Sequence, residues 1–358
     1  MKVLISGGGT GGHIYPALSI VESFKNKNNQ VLYVGKNNSM ESEIVPRNFI
    51  DFKGITIQGF NRVNKLKNIL VGFKLLVGLF QSTRIILKYK PDVVIGTGGY
   101  VSGPVLLIAA LLNKKTYIHE QNSFPGITNR ILSKVVDTVF ISYEESANRF
   151  SRKTEIIYTG NPVRKAFKEN LDGLTKDDVD ATKVLSFGGS GGAKKINDLM
   201  LNVIMQFNGD YAYNIYHVTG RKYYKGFMNR LEEEEITLED NIEVHDYLKE
   251  MPKYMLNSDL VISRAGAITI SELKYTKTPS ILIPSPNVTD NHQMHNAKAM
   301  EDKGLAKMIE ESLLSEEAIF ELIRSNSFIQ SLKKNLEKHT EKDACEKIYN
   351  YIMKDFEI

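Results

Sequence analysis

The chain has 358 residues, enough for two domains of ordinary size, each with its own core. With 42% apolar and 25% charged residues it has the composition of a soluble globular protein, and a net charge of +4 argues against a dedicated nucleic-acid binder. A single cysteine, Cys345, excludes an intrachain disulfide and any cysteine-built metal site, and suits a reducing cytoplasm.

The opening Lys2–Ser6 reads as a buried-type strand, not a signal peptide, and no apolar run approaches the ~18 residues of a bilayer span. A glycine turn follows at Gly7-Gly8-Gly9-Thr10-Gly11-Gly12-His13, and then Ile14, Leu18, Val21 and Phe24 recur at helical spacing. Gly7, Gly9 and Gly12 satisfy G-x-G-x-x-G between a strand and a helix, which raises a dinucleotide-binding oxidoreductase. That reading requires an acid closing the next strand, Gln30–Gly35. The strand closes instead on Lys36, with Glu41 beyond it in what reads as a polar loop.

From Phe52 to Pro91 there is no acid, while Lys53, Arg62, Lys65, Lys67, Lys74, Arg84, Lys88 and Lys90 supply positive charge. Leu66, Ile69, Leu70, Phe73, Leu75, Leu76, Val77, Leu79 and Phe80 make an apolar helical stretch interrupted by Lys74. Apolar residues flanked by positive charge alone suit an interfacial helix on anionic lipid. An ordinary amphipathic helix packed on a sheet explains part of the same pattern, and one helix can do both. Asp92–Tyr100 is a strand running into Gly98-Gly99, followed by an apolar helix over Val105–Leu112. Thr116–Asn122 is a strand whose carboxyl end carries His119-Glu120-Gln121-Asn122, where the crevice of an open parallel sheet lies. His119 alone reads equally well as a satisfied core histidine.

Strands at Asp137–Ser142 and Glu155–Thr159 follow, the second leading into Gly160-Asn161-Pro162-Val163-Arg164. Phe167–Thr182 is charged and reads as an interdomain linker. Its Asp178-Val179-Asp180 matches the D-x-D of metal-dependent glycosyltransferases, but with no strand before it reads as a solvated loop. Lys183–Ala193 then repeats strand, glycine turn and helix. It misses the Walker motif because Ala193-Lys194-Lys195 stands where Gly-Lys-Ser/Thr is needed. Tyr213–Thr219 and Ile242–Tyr247 are further strands, and the pattern from Ser315 onward is helical.

Ser263–Ala297 follows the strand Asp259–Ile262. It turns at Arg264-Ala265-Gly266, enters a helix, passes a strand at Pro279–Pro284 and reaches Asp290-Asn291-His292-Gln293. A helix starting on a glycine turn after a parallel strand offers amides and a positive dipole end to a phosphate. Glu272, one turn in, is placed to accept from ribose hydroxyls, and Gln293 and Asn296 supply amides that read sugars. Thr269-Ile270-Ser271-Glu272 also matches a capping box, in which Glu272 only satisfies the helix end.

Together these stretches resemble the GT-B glycosyltransferases, and within them the UDP-N-acetylglucosamine–lipid I N-acetylglucosaminyltransferases of bacterial peptidoglycan synthesis. The matching segments are Gly7–Pro16, Gly96–Pro104, His119–Arg130, Gly160–Arg164, Phe187–Asn197 and Ser263–Gln293, in order over nearly the whole chain. Two positions vary: Gly191, where the family often has a larger residue, and His292, where some members have glutamine. The resemblance implies an α/β chain of GT-B fold, with two Rossmann-like parallel-sheet domains facing across a cleft. These are an acceptor and membrane-associating domain at 1–163, with the C-terminal helix at 341–358 packing back on it, and a UDP-GlcNAc-binding domain at 164–340.

It implies inverting transfer of GlcNAc from UDP-GlcNAc to the 4-hydroxyl of MurNAc in lipid I, giving lipid II, with no cofactor and no metal. Arg164, Leu248 and Glu272 would hold uridine; Ser190, Gly266, Ala267, Ile268 and Thr269 the pyrophosphate; Asn122, His292 and Gln293 the GlcNAc. Thr10, Gly11 and Gly12 would also meet the donor, and Gly9, Gly98, Gly99 and Tyr100 the acceptor. The acceptor hydroxyl needs a base: His13 is the candidate, with capping or acceptor positioning as its other reading, and Glu120 stands in reserve. The partners implied are UDP-GlcNAc, lipid I and an anionic cytoplasmic membrane surface met by the basic apolar 62–90 region, with no nucleic acid. A glycolipid synthase acting on diacylglycerol, a UDP-GlcNAc 2-epimerase and a non-catalytic sugar-nucleotide sensor are the competing readings.

Overall fold

The computed structural model describes residues 1–25, 27, 29–59, 67–174, 180–340 and 342–356. It divides into two compact units, Met1–Lys165 with Glu341–Ile358, and Ala166–Thr340.

Unit 1 is built on seven strands: β1 (Lys2–Gly7), β2 (Gln30–Lys36), β3 (Asp51–Ile55), β4 (Val93–Gly98), β5 (Lys115–Glu120), β6 (Thr138–Ile141) and β7 (Glu155–Tyr158). All run parallel, in the order β3-β2-β1-β4-β5-β6-β7. The near-continuous apolar runs have their cause here, because a parallel sheet is covered on both faces. Val3 and Ile5 face one layer, with Ile14, Phe24, Tyr33 and Phe140. Leu4 faces the other, with Ile55, Ile86, Val94 and Ile118. The order reverses direction between β1 and β4, so the two glycine turns lie side by side at the switch point of a doubly wound sheet.

Unit 2 repeats the plan with β8 (Thr182–Phe187), β9 (Tyr213–Val218), β10 (Ile242–His245), β11 (Leu260–Ser263), β12 (Ser280–Leu282) and β13 (Lys307–Met308). These are parallel too, in the order β10-β9-β8-β11-β12-β13. Two parallel-sheet α/β units of Rossmann-like topology are thus what the sequence pattern implied. The edge strands β3 and β13 are additions to it.

Three expectations change. The Lys67–Tyr89 helix carries a 22-residue apolar segment, Asn68–Tyr89, with mean hydropathy 1.6, long and apolar enough to cross a membrane by length and composition. The sequence reading missed this because Lys74 breaks the run. The helix is nevertheless committed to the core along one stripe: Val71, Ser82 and Ile86 are buried, and Leu75, Ile85 and Tyr89 pack beside them. The Lys74 ammonium donates to Gln58 Oε1 at 2.7 Å. Its other stripe is exposed and apolar, with Ile69, Leu70, Phe73, Leu76, Phe80 and Leu87 standing out along its length. Arg62, Lys65 and Leu66 lie outside the described residues. Second, the proposed linker does not begin as a solvated segment, because Phe167 is buried, with its ring 6.3 Å from Tyr275 inside unit 2. Asp178 and Val179 of the D-x-D lie outside the described residues. Third, Glu41 is not in an open loop but on the Met40–Arg47 helix, with no exposed surface.

The Ala344–Lys354 helix belongs to unit 1. Ile348 and Ile352 are fully buried against the first layer, and the Tyr349 ring sits 5.1 Å from Phe24. The Tyr117 hydroxyl donates to Asp355 at 2.5 Å, and burial with that carboxylate pushes the phenol pKa strongly up. Removing a fully buried aliphatic side chain costs roughly 2–5 kcal/mol. Ile348→Ala is therefore expected to lower unit 1 stability by that order in denaturant unfolding, although the residue lies far along the chain from the sheet it supports.

Candidate functional site

In unit 1 the candidate residues gather at the carboxyl ends of β1, β4 and β5. The helix Gly11–Lys25 starts on the first glycine turn, and the Thr10 carbonyl accepts from the amides of both His13 and Ile14. The second turn closes directly on the first. Gly98 and Gly99 adopt φ of +100° and +79°, and a Cβ on Gly99 would lie 2.2 Å from the Gly8 carbonyl oxygen. Only glycine meets both the left-handed backbone and the missing space. A Cβ on Gly98 would sit 2.9 Å from His13 Nδ1, so the imidazole occupies room that a side chain there would take.

His13 is thereby held. Its Nδ1 lies 3.0 Å from the Thr97 carbonyl oxygen and 3.2 Å from Gln121 Oε1. The Thr97 hydroxyl donates to the His13 carbonyl at 2.8 Å. Two acceptors on Nδ1 require it to carry the proton, which leaves Nε2 with the lone pair of a base.

Glu120 has a different role from the reserve base expected of it. Its Oε1 accepts from the Asn122 amide at 3.0 Å and Asn122 Nδ2 at 3.1 Å, and its Oε2 from the Gly126 amide at 3.1 Å and Asn129 Nδ2 at 2.8 Å. A buried carboxylate accepting four donors organises the loop that carries Asn122, and its lone pairs are already spent. Gly9 also departs from expectation. Its amide donates to Glu41 Oε2 at 3.3 Å, while Lys36 donates to Oε1 at 3.1 Å. That N–H is not offered to an acceptor pyrophosphate. The Tyr100 ring lies against Gly9 and Gly59. Arg164 falls in unit 1, its guanidinium 5.2 Å from the Tyr15 ring centroid.

In unit 2, the β8 turn brings Gly188–Gly192 round to the Lys194–Phe207 helix, with Ser190 exposed on it. A Cβ on Gly188 would lie 2.2 Å from the Ala193 amide nitrogen, and Gly192 has φ +72° with the Thr219 carbonyl 2.2 Å from its missing Cβ. Gly191 faces open space.

The β11 turn leads to the Ala267–Thr276 helix, whose N-cap is Gly266 with no side-chain cap hydrogen bond. Thr269 lies inside that helix, so the capping-box geometry for Glu272 does not form: the helix starts three residues too early. The first helical amides have no intrahelical acceptors and share the positive end of the dipole. Glu272 is buried one turn in. Arg264 secures the turn, pairing with Glu311 at 2.5 Å and donating to the carbonyls of Ile283 and Pro284. Leu248 is buried just after β10.

Asp290 and Asn291 take φ of +53° and +51°, a conformation these two residue types tolerate, and set up the His292–Asp302 helix. His292 Nδ1 donates to the Thr289 carbonyl at 2.8 Å, and Gln293 Oε1 accepts from the Ser285 amide at 2.9 Å. Asn296, expected to read sugar hydroxyls, is fully buried and donates to the Ala265 carbonyl. It fastens this helix to the turn.

Sequence reasoning passed over Glu41 and Thr97, and gave Gln121 no role beyond its place among the polar residues at the strand end. For Gln121 a signal existed: on a strand of period two, residues 119 and 121 share a face and Glu120 points to the other. Among the described residues no three His, Cys, Asp or Glu side chains are grouped to hold a metal ion.

Comparison with known proteins gives a consistent result. The N-terminal domain of glycosyltransferase family 28 matches residues 3–141, and the C-terminal domain of that family matches residues 183–349. A UDP-N-acetylglucosamine–N-acetylmuramyl-(pentapeptide) pyrophosphoryl-undecaprenol N-acetylglucosamine transferase of Natranaerobius thermophilus is 44% identical, covering 91% of this chain and 90% of that protein. One of the same name from Clostridioides difficile is 41% identical, covering 99% and 89%. The crystal structure of Acinetobacter baumannii MurG superposes with a TM-score of 0.79 at 26% identity over 99% of both chains. A Neisseria meningitidis UDP-GlcNAc 2-epimerase shares the fold, with a TM-score of 0.69 at 14% identity over 99% of this chain and 100% of that one.

A side chain at Gly99 would meet the Gly8 carbonyl, whereas one at Gly191 would meet nothing within 4 Å. Gly99→Ala combines a left-handed penalty of roughly 1–2 kcal/mol with a backbone clash, whereas Gly191→Ala is expected to stay within about 0.5 kcal/mol of the parent. Thermal unfolding of the two variants checks the contrast, and equal loss in both would contradict the closure of the turns.

Proposed function

The chain belongs to glycosyltransferase family 28, with relatives named as transferases of N-acetylglucosamine onto undecaprenyl-pyrophosphoryl-N-acetylmuramyl-pentapeptide, and on that premise we propose that it makes lipid II from lipid I and UDP-GlcNAc. The observation that carries this reading is identity above 40% over nearly the whole chain with proteins of that one name. The sites supply chemistry that fits it.

His13 Nε2 takes the proton of the MurNAc 4-hydroxyl as that oxygen attacks C1 of the GlcNAc. The bond from C1 to the UDP oxygen breaks on the opposite face, so the new linkage is inverted. Negative charge gathers on the departing diphosphate, and a helix N-terminus such as the one at Gly266 stabilises it through amides and dipole. Ala267, Ile268, Thr269 and Ser190 line that diphosphate site; Glu272 accepts from the ribose; Leu248 flanks the uracil. Gln293, oriented by the Ser285 amide, presents its Nε2 to the sugar together with His292. Glu120 holds Asn122 in place.

The exposed stripe of the Lys67–Tyr89 helix is assigned to an anionic membrane surface, on the cytoplasmic side where the nucleotide sugar is found. Leu111, Ile127 and Ile131 extend the apolar exposure along neighbouring helices, and Arg130, Lys134, Arg149 and Lys153 line an open groove beside them. A segment from Phe52 to Pro91 without an acid meets no repulsion from such a surface.

Transfer of labelled GlcNAc to a short-chain lipid I analogue tests the reaction. Consumption of UDP-GlcNAc without acceptor would favour the epimerase reading instead. His13→Ala is expected to reduce turnover by roughly 10²–10⁴-fold with donor affinity unchanged, and near-normal turnover would remove it as the base. Glu272→Ala is expected to weaken UDP-GlcNAc binding by about 2–3 kcal/mol in calorimetry, with an unaltered melting temperature. Flotation with anionic liposomes should fall for Phe73→Asp with Phe80→Asp, and for the parent protein as salt rises.

A further inference from the structure

We propose that His119 and Gln121 are positioning residues: a buried chain of hydrogen bonds running from the Gly160 carbonyl through His119 and Gln121 fixes His13 in its Nδ1–H tautomer. The proposal rests on the reading of His13 as the base, which it deepens.

The chain is anchored at an end that allows one choice. His119 Nε2 lies 3.0 Å from the Gly160 carbonyl oxygen. A carbonyl only accepts, so Nε2 carries the proton and Nδ1 has the lone pair. Gln121 Nε2 lies 3.1 Å from that Nδ1 and also 2.9 Å from the Thr97 carbonyl and 3.1 Å from the His119 carbonyl. All three neighbours are acceptors, so the amide nitrogen must stand there. Flipping the amide would set an oxygen against three lone pairs. Gln121 Oε1 therefore faces His13, 3.2 Å from Nδ1, and joins the Thr97 carbonyl in requiring a proton on that nitrogen. The opposite tautomer would aim the Nδ1 lone pair at both oxygens and place the proton on Nε2, where a base needs none.

Every member of this chain is shielded. His119, Gln121 and Thr97 have at most 1% exposure. Burial also holds the His119 imidazole down to about 4, so it stays neutral and its pattern of one donor and one acceptor persists at working pH. The neighbouring carboxylate, Glu120, is turned to the other face of β5 and occupied by Asn122, Gly126 and Asn129. Gln121 rather than an acid thus contacts His13 Nδ1. A neutral partner orients the ring through hydrogen bonding alone.

The test uses the full-length protein with ¹⁵N-labelled histidine, the His13 signals being identified by their loss in His13→Asn. Parent protein should show the Nδ1–H tautomer of His13. Gln121→Glu keeps an acceptor toward His13 Nδ1 but sets its second oxygen against His119 Nδ1 and the carbonyls of Thr97 and His119, as a flipped amide would, and should lower kcat with KM for donor unchanged. His119→Phe removes one of the three acceptors that orient Gln121, the only one supplied by a side chain. It should mix the His13 tautomers and lower kcat roughly tenfold, part of the general-base contribution, with KM for donor unchanged. His119→Asn, whose Oδ1 falls near the lost Nδ1, should restore both. An Nε2–H tautomer in the parent, or an unchanged His13 tautomer in a folded His119→Phe, overturns the proposal. The ring signals read the tautomer whatever His13 does in catalysis, whereas His13→Ala turnover tests the base assignment alone.

Discussion

Two peptide turns from distant parts of the chain touch at the centre of unit 1, and the site there follows from that contact. The Gly8 carbonyl oxygen occupies the space a Gly99 side chain would need, 2.2 Å from its Cβ position. With the turns in contact, the Thr97 carbonyl reaches the His13 ring, and the ring fills the hollow left by Gly98. A larger residue at either position would separate β1 from β4 at the switch point of the sheet. Glycine here supplies absence, and the imidazole uses it.

The two glycine-rich units, alike in topology, differ in what their turns present. In unit 1 a buried acid, Glu41, binds the Gly9 amide and brings negative charge to the loop. In unit 2 the acid at the β11 turn, Glu311, pairs with Arg264, and the helix at Gly266 begins without a side-chain cap. The first arrangement discourages a phosphate at Gly9, while the second invites one. This difference also accounts physically for a dinucleotide-type glycine pattern that does not belong to a dinucleotide enzyme.

Much of this was legible in the sequence, and what was not shares a cause. Strand, glycine turn and helix are local patterns, so β1, β4 and β8 and the helices after them could be read directly, as could two parallel units. The edge strands β3 and β13 carry little local signal, one alternating weakly and the other spanning two residues. The Thr269–Glu272 capping box was a true local match that lost to a helix starting at Gly266. Glu41 and Gln121 act on partners far away in the chain, 32 residues to Gly9 and 108 residues to His13. No window of neighbouring residues records such pairings. The 67–89 helix was half legible: its apolar excess was plain, but which stripe joined the core depended on Ile55, Ile86 and Val94 coming together.

The Ala344–Lys354 helix has a bearing on how the protein is made. It completes the core of unit 1, yet every residue of unit 2 lies between it and β7 in the chain. On a ribosome adding roughly 5–20 residues per second, the first seven strands emerge with one side of their sheet lacking Ile348 and Ile352. Unit 2 is contiguous and can close as soon as it clears the exit tunnel. The unit synthesised first is therefore finished after the second, and Phe24, Tyr117 and Phe140 wait in the nascent chain for a cover that arrives only once unit 2 has been made.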